Sequence, residues 1–366
     1  MRYFDFFKRQ FLLTHVSGIP VRIDYRWFFV VAVMSSVTAI SINSFVKNPV
    51  TSLIFGFLTT LIFFFSIFLH EYAHAFVARI EGIQVLEIVL HPFGGLARFK
   101  REPDTPRAEF RIAIAGPAAS FLITVVFVIL MAIANSLELD ILRNLLFMLA
   151  LLNFLLAVFN LFPGYPLDGG RVLRAYLWRR GKDLNEATIL TGRFGQIIGA
   201  ALILFGVFFA IVRGDFFNGF WTILVGWFLF DAAKGIIREI NELNNLPVED
   251  VMLLPVAVAP DADIQHFVDR ILAFHRQDIF PVAKDRQLYG ILNLEDLKKV
   301  SQDDWRTTKI QDVMRPITPD YFVETTTLLP EARQLMRVNG IGALGVIDAK
   351  GNLVGFMRRG RTNKRN

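Results

Sequence analysis

Six apolar runs of roughly twenty residues or more leave this chain one class of fold. They lie at about 25–45, 51–78, 109–134, 143–165, 188–212 and 219–238. A helix rises 1.5 Å per residue, so about twenty residues match the ~30 Å hydrocarbon core of a bilayer. Lipid offers the backbone no hydrogen-bond partner, and a helix satisfies its own. The expected architecture is therefore a polytopic α-helical membrane protein. The second run is too long for one simple crossing, so it tilts or extends past the bilayer. The fourth ends at "FPGYPLDGG", where prolines and glycines break a helix. Composition agrees, with 54% hydrophobic residues and 37 Phe.

Charge orients the bundle. The connection after the second run carries Arg79, Arg98, Lys100, Arg101, Arg107 and Arg111, and that after the fourth carries Arg171, Arg174, Arg179, Arg180, Lys182 and Arg193. The opposite connections offer Lys47, Arg143 and Arg213. The positive-inside rule then places both termini in the cytoplasm. Basic cytoplasmic loops also account for the net charge of +6, with no nucleic-acid partner required. The N-terminal "MRYFDFFKRQFLLTHVSG" mixes basic and apolar residues without a cleavage site. It reads as a short cytoplasmic or interfacial lead-in, not a removed signal. With no organellar targeting segment, the expected home is a prokaryotic plasma (inner cell) membrane. The stretch "VLEIVLHPFGGLARFK", residues 85–100, alternates around a Gly-Gly turn and predicts a small β hairpin at the cytoplasmic membrane edge. In the fifth run, Gly195 and Gly199 predict close helix packing.

Beyond residue 246 the pattern changes to short apolar runs alternating with charged helical segments, as in soluble α/β domains. "VEDVMLLPVAVAPDADI" at 248 repeats as "IQDVMRPITPDYFVETT" at 310, and "LYGILNLEDL" at 288 as "LVGFMRRGRT" at 353. Two copies of about sixty residues predict a paired domain rather than a solenoid. The expected division is a membrane domain over 1–240, a linker at 241–247, and copies at 248–300 and 309–360.

One membrane run is not purely apolar. "FFFSIFLHEYAHAFVA", residues 63–78, contains His70, Glu71 and His74. Ionisable groups at such depth are expensive and mark function. The spacing H-E-x-x-H places both imidazoles on one helix face, one turn apart, where they reach a single Zn²⁺ and the glutamate reaches its water. Cysteine is absent, so any metal sits on His, Asp or Glu. A catalytic zinc needs a third protein ligand and an open position. Asp168 in "PLDGG" is the candidate, because runs two and four both head inward and bring it to the depth of the histidines. Gly169 and Gly170 are expected to let backbone and metal approach closely. Taken alone, Asp168 also suits a turn or the cap of a following helix.

These motifs, "HEYAH" with "NLFPGYPLDGG" and, in support, "HPFGG" and "AGPAAS", resemble the site-2 protease family of intramembrane zinc metalloproteases over nearly all of residues 16–240. The resemblance implies that His70, His74 and Asp168 ligate zinc. It implies that Glu71 is the general base activating the zinc-bound water, and that the substrate is a transmembrane or membrane-tethered protein, such as an anti-sigma factor. A helical substrate must unwind to be cut, and the 85–100 hairpin is expected to offer it an edge strand, with prolines at Ile88 and Val89 as the test. Asn160 is a candidate for binding substrate backbone or the oxyanion, or alternatively for interhelical bonding. His91 is read as an extra ligand or, in preference, a loop hydrogen bond. Asn153 and Gln196 are read as packing residues.

The repeat resembles a tandem CBS pair, a module that often binds adenine nucleotides. Asp296, after "GILNLEDL", matches the family's ribose-binding acid. The second copy departs from the pattern, since "GFMRRGRTNKRN" carries no acid and no following helix. Its basic tail suits phosphates or an anionic membrane surface. Nucleotide sensing and ligand-free dimerisation are both open readings for the pair. The rival to a protease is a membrane transporter or channel gated by CBS domains.

Overall fold

The computed structural model describes residues 10–91, 94–275 and 277–358. The first nine residues of the lead-in, Pro92 and Phe93 of the hairpin turn, and the basic tail from 359 lie outside them. The chain divides into two compact units, residues 1–238 and 239–366.

The first unit opens with two strands, β1 (Gln10–Val16) and β2 (Ile19–Asp24), followed by α1 (Arg26–Val46) and α2 (Pro49–Ile80). Strands β3 (Val85–His91) and β4 (Gly94–Phe99) precede α3 (Pro106–Ser136), α4 (Asp140–Asn160), the short α5 (Asp168–Arg179), α6 (Leu184–Val212) and α7 (Phe216–Asn244). All but α5 are long and apolar enough to cross a membrane, which makes six candidate spans among the described residues. At 1.5 Å per residue, the 32 residues of α2 measure about 48 Å, well beyond the hydrocarbon core. Its start is fixed chemically: Asn48 accepts the Thr51 N–H, and Pro49 sits where a helix has no use for its N–H. Thr105 and Pro106 do the same for α3. Helix α4 stops at Asn160, five residues short of the expected end. Pro163 disfavours helical backbone in the residue before it, so the chain turns earlier.

The strands form one sheet in the order β1-β2-β3-β4. The outer pairs are antiparallel, and β2 runs parallel to β3, with Arg22 opposite Val89. Residues 10–18 therefore extend beyond a simple lead-in: they supply an edge strand and a turn. Ser17 and Gly18 both take positive φ, and Ile19, Val21 and Ile23 alternate inward and are buried. That face joins Trp27, Phe64 and Ile67 in one apolar cluster and Ala75, Ala78 and Ile112 in another. Each large apolar side chain so buried contributes about 1.5–3 kcal/mol.

The second unit holds two three-stranded sheets. One orders β5 (Ile279–Lys284), β6 (Gln287–Asn293) and β7 (Arg315–Pro316) as β5-β6-β7. The other orders β8 (Phe322–Glu324), β9 (Ala343–Ile347) and β10 (Leu353–Arg358) as β10-β9-β8. The copies exchange their opening segments. Val248 packs in the core of Val323, Leu344 and Met357, whereas Ile310 packs in the core of Val258, Phe280 and Leu292.

Candidate metal centre

Helix α2 brings His70 and His74 to one face, each 3% exposed. Asp168, the first residue of α5, meets both. Its Oδ2 lies 3.1 Å from the Nε2 of His70 and 3.1 Å from that of His74, and the two Nε2 atoms are 3.3 Å apart. No other group of three such side chains converges among the described residues. Asp168 is 12% exposed at its side chain. Burial opposes its charge, but the His74 and His70 imidazoles beside it outweigh that and hold its carboxyl below the ordinary carboxylate range.

The rest of the pocket comes from one face of α3, at positions four residues apart. The His74 Nδ1–H donates to the carbonyl of Ile112 at 2.6 Å. A carbonyl only accepts, so the proton stays on Nδ1 and Nε2 is the nitrogen that faces Asp168. His70 Nδ1 shares a hydrogen bond with Ser120 Oγ at 2.9 Å. Between them, Gly116 leaves the room: a Cβ there would overlap His74 Nε2 and stand 2.5 Å from His70 Nε2. Two imidazole nitrogens and a carboxylate oxygen thus converge, with the outer nitrogens of both rings tied down. Zinc–nitrogen bonds of about 2.0–2.1 Å in a tetrahedron give ligand–ligand edges near 3.3 Å, which these separations fit.

Glu71 stands beside this group, outside it. Its Oε2 accepts the Ala97 N–H of β4 at 3.2 Å, and Gly95 packs so closely that a Cβ would overlap Glu71 Cγ. Ala97 pairs with Ile88 of β3, so a Glu71 bond at its N–H means that this group points outward from the free edge of the sheet. The edge strand is β4. Ile88 and Val89 lie on β3, interior to the sheet and fully buried, so prolines there disrupt the sheet itself and do not test edge pairing.

Other expected residues fall elsewhere. Asn160 ends α4, and its Nδ2 donates to the Leu156 carbonyl of its own helix at 3.0 Å. His91 is not in the metal group. Burial pushes its imidazole down to about 4, against the nearby Asp24 carboxylate. Gly169 and Gly170 do not face the metal group: they admit the Leu161 and Gly164 backbone of the preceding loop. Asn153 is fully buried and bonds the Leu149 carbonyl. In the second unit, Asp296 accepts from Arg315 Nε and from Lys299 Nζ, each at 2.7 Å. The Arg315 bond, then that of Lys299, holds its carboxyl below the ordinary range.

Comparison with known proteins adds a family to this geometry. The model of peptidase family M50 matches residues 58–138 and 130–206, and that of the CBS domain matches 310–360, the copy whose end departs from the pattern. A provisionally named zinc metalloprotease of Synechocystis sp. is 30% identical over 97% of this chain and 95% of its own. A zinc metalloprotease of Methanocaldococcus jannaschii is 31% identical over 78% of this chain and 79% of its own. The solved site-2 protease from Methanocaldococcus jannaschii aligns with a TM-score of 0.43 at 28% identity, over 63% of this chain and 95% of that one.

Proposed function

Since this chain belongs to peptidase family M50, the site-2 protease family, and is a multi-pass metalloprotease, we propose that it cuts peptide bonds in or beside the transmembrane segments of membrane-tethered proteins. The observation that supports this most is the convergence of His70, His74 and Asp168 beside Glu71 within an apolar bundle. In this reading the three side chains hold zinc. When bound, zinc supplies Lewis-acid polarisation of the scissile carbonyl and acidifies water. Glu71 takes the proton of the attacking water and returns it to the leaving nitrogen. The Ala97 N–H steadies the Glu71 carboxylate, and His74 is kept as a lone-pair donor by Ile112.

The membrane-spanning domain corresponds to residues 1–240, with a CBS pair from 248; the expected linker at 241–247 is helical as far as Asn244, where α7 ends. The basic connections support a topology with both termini, and the site, toward the cytoplasm of a plasma membrane. The outward edge of β4 lies against Glu71 and suits an unwound substrate strand. Replacing Ala97 by Pro is therefore expected to lower cleavage at least about tenfold while zinc stays bound. That variant loses the Glu71 anchor together with the outward edge, so full activity would remove both from the mechanism. Substrates of this kind fit regulated intramembrane proteolysis, with the CBS pair as the regulator. There Asp296 is positioned to take the ribose hydroxyls of an adenine nucleotide, in exchange for its contact with Arg315 or Lys299.

The test is cleavage of a transmembrane substrate by the full chain in proteoliposomes. Removal of metal with a chelator is expected to abolish cleavage, and added zinc to restore it. Solute flux with no cleavage in the zinc-loaded protein would favour the CBS-gated transporter instead.

A further inference from the structure

Glu109 is 1% exposed and lies in the first turn of α3. Its Oε1 accepts from Arg171 Nε at 3.1 Å and from Arg174 Nη2 at 2.7 Å, both on α5. Arg174 is itself buried. Desolvating three charges gains little stability over an apolar contact of the same shape, so a buried cluster of this kind serves geometry better than adhesion. Its location shows which geometry. Arg171 follows Asp168 by one helical turn on α5, and Glu109 precedes Ile112 by one turn on α3.

Helices α3 and α5 are thereby joined twice, at adjacent turns. One join passes through the His74 imidazole, which bonds the Ile112 carbonyl on one side and meets Asp168 on the other. The second is the Glu109–Arg171 ion pair. Arg171 also lies over the Phe99 ring, 5.8 Å from its centroid, on the strand whose Ala97 N–H holds Glu71. The cluster therefore touches the elements carrying the carboxylate ligand, the anchors of both imidazoles, and the strand behind the base.

We propose that Glu109, with Arg171 and Arg174, is a positioning cluster that sets the distance between Asp168 and the two imidazoles, and so the metal affinity of the site. This rests on the reading of His70, His74 and Asp168 as zinc ligands. The cluster touches neither metal nor substrate. It acts by holding α5 in register with α3, as outer groups that orient ligands do.

The experiment compares wild type, Glu109→Gln and Arg171→Lys as full chains in detergent. Three readouts are zinc affinity by chelator competition, the visible spectrum of the cobalt-loaded protein, and the Tm of the metal-free protein. In both variants the zinc Kd is expected to rise roughly ten- to a hundredfold, with altered cobalt bands. A lowered metal-free Tm with wild-type zinc affinity and spectrum would reduce the cluster to a structural brace and overturn the proposal. If Glu109→Gln does not fold, Arg171→Lys, in which Glu109 keeps Arg174, is judged by the same criteria. Failure of the ligand reading looks different: Asp168→Ala would then bind zinc as tightly as wild type, which overturns both.

Discussion

Replacing Glu71 by Gln is expected to leave zinc bound stoichiometrically and to lower cleavage by roughly a thousandfold. Glu71 is not one of the three converging side chains, so its charge is not needed to gather the metal. Its position rests on the Ala97 N–H and on contact with Gly95. A glutamine oxygen accepts from the same N–H, and its methylene groups make the same contact. The side chain therefore stays in place and only the proton-accepting carboxylate is lost. Metal analysis of the purified variant, with cleavage of a reconstituted transmembrane substrate, checks both halves. Retained cleavage would remove Glu71 as the base, and lost zinc would place it among the ligands.

The substitution Gly116→Ala is expected to weaken zinc binding by on the order of a hundredfold, although it improves the helix. Alanine is better than glycine in a helix interior by about 1 kcal/mol, so propensity alone predicts a gain. The added methyl, however, enters the space of both Nε2 atoms. Neither ring can step aside freely. His74 is held by Ile112 and His70 by Ser120, one helical turn to either side of the glycine on the same face. The overlap is present with or without metal, so the metal-free variant should melt no higher than wild type despite the helix gain, while its zinc Kd rises. Unchanged affinity would mean that the rings yield without loss and that α3 does not template the site.

Much of this was legible before any coordinates. Long apolar runs report themselves because a bilayer admits few alternatives, and all six correspond to helices, with ends shifted by at most six residues. His70 and His74 stand out because ionisable groups are rare in such surroundings, and Asp168 follows from the need for a third ligand at their depth. What escaped notice has physical reasons. Strand β1 pairs locally with β2 across the Ser17-Gly18 turn, a weak signal in so short a hairpin, whereas β2 takes its other partner from residues 85–91, a pairing that no local pattern announces. The Ile112 contact uses a backbone carbonyl, which leaves no mark on residue type. In sequence Arg171 and Arg174 count as cytoplasmic charge, and a count of charges does not reveal that Glu109, 62 and 65 residues away, lies buried against them. In the CBS pair the repeat boundaries follow similarity, whereas the cores follow packing, and Val248 and Ile310 cross between them.

The parallel pairing of β2 with β3 carries a consequence for biogenesis. The two strands flank α1 and α2, which must be made and inserted before β3 exists. Strand β2 thus waits, unpaired on that edge, while residues 25–84 leave the ribosome. Pairing then requires both strands on the same side of the bilayer, which holds only if α1 and α2 cross as a matched pair. A chain in which either helix fails to insert separates the strands across the membrane and cannot close the sheet. Strand β4 can still pair with β3, but the sheet whose edge lies against Glu71 then lacks β2 and β1.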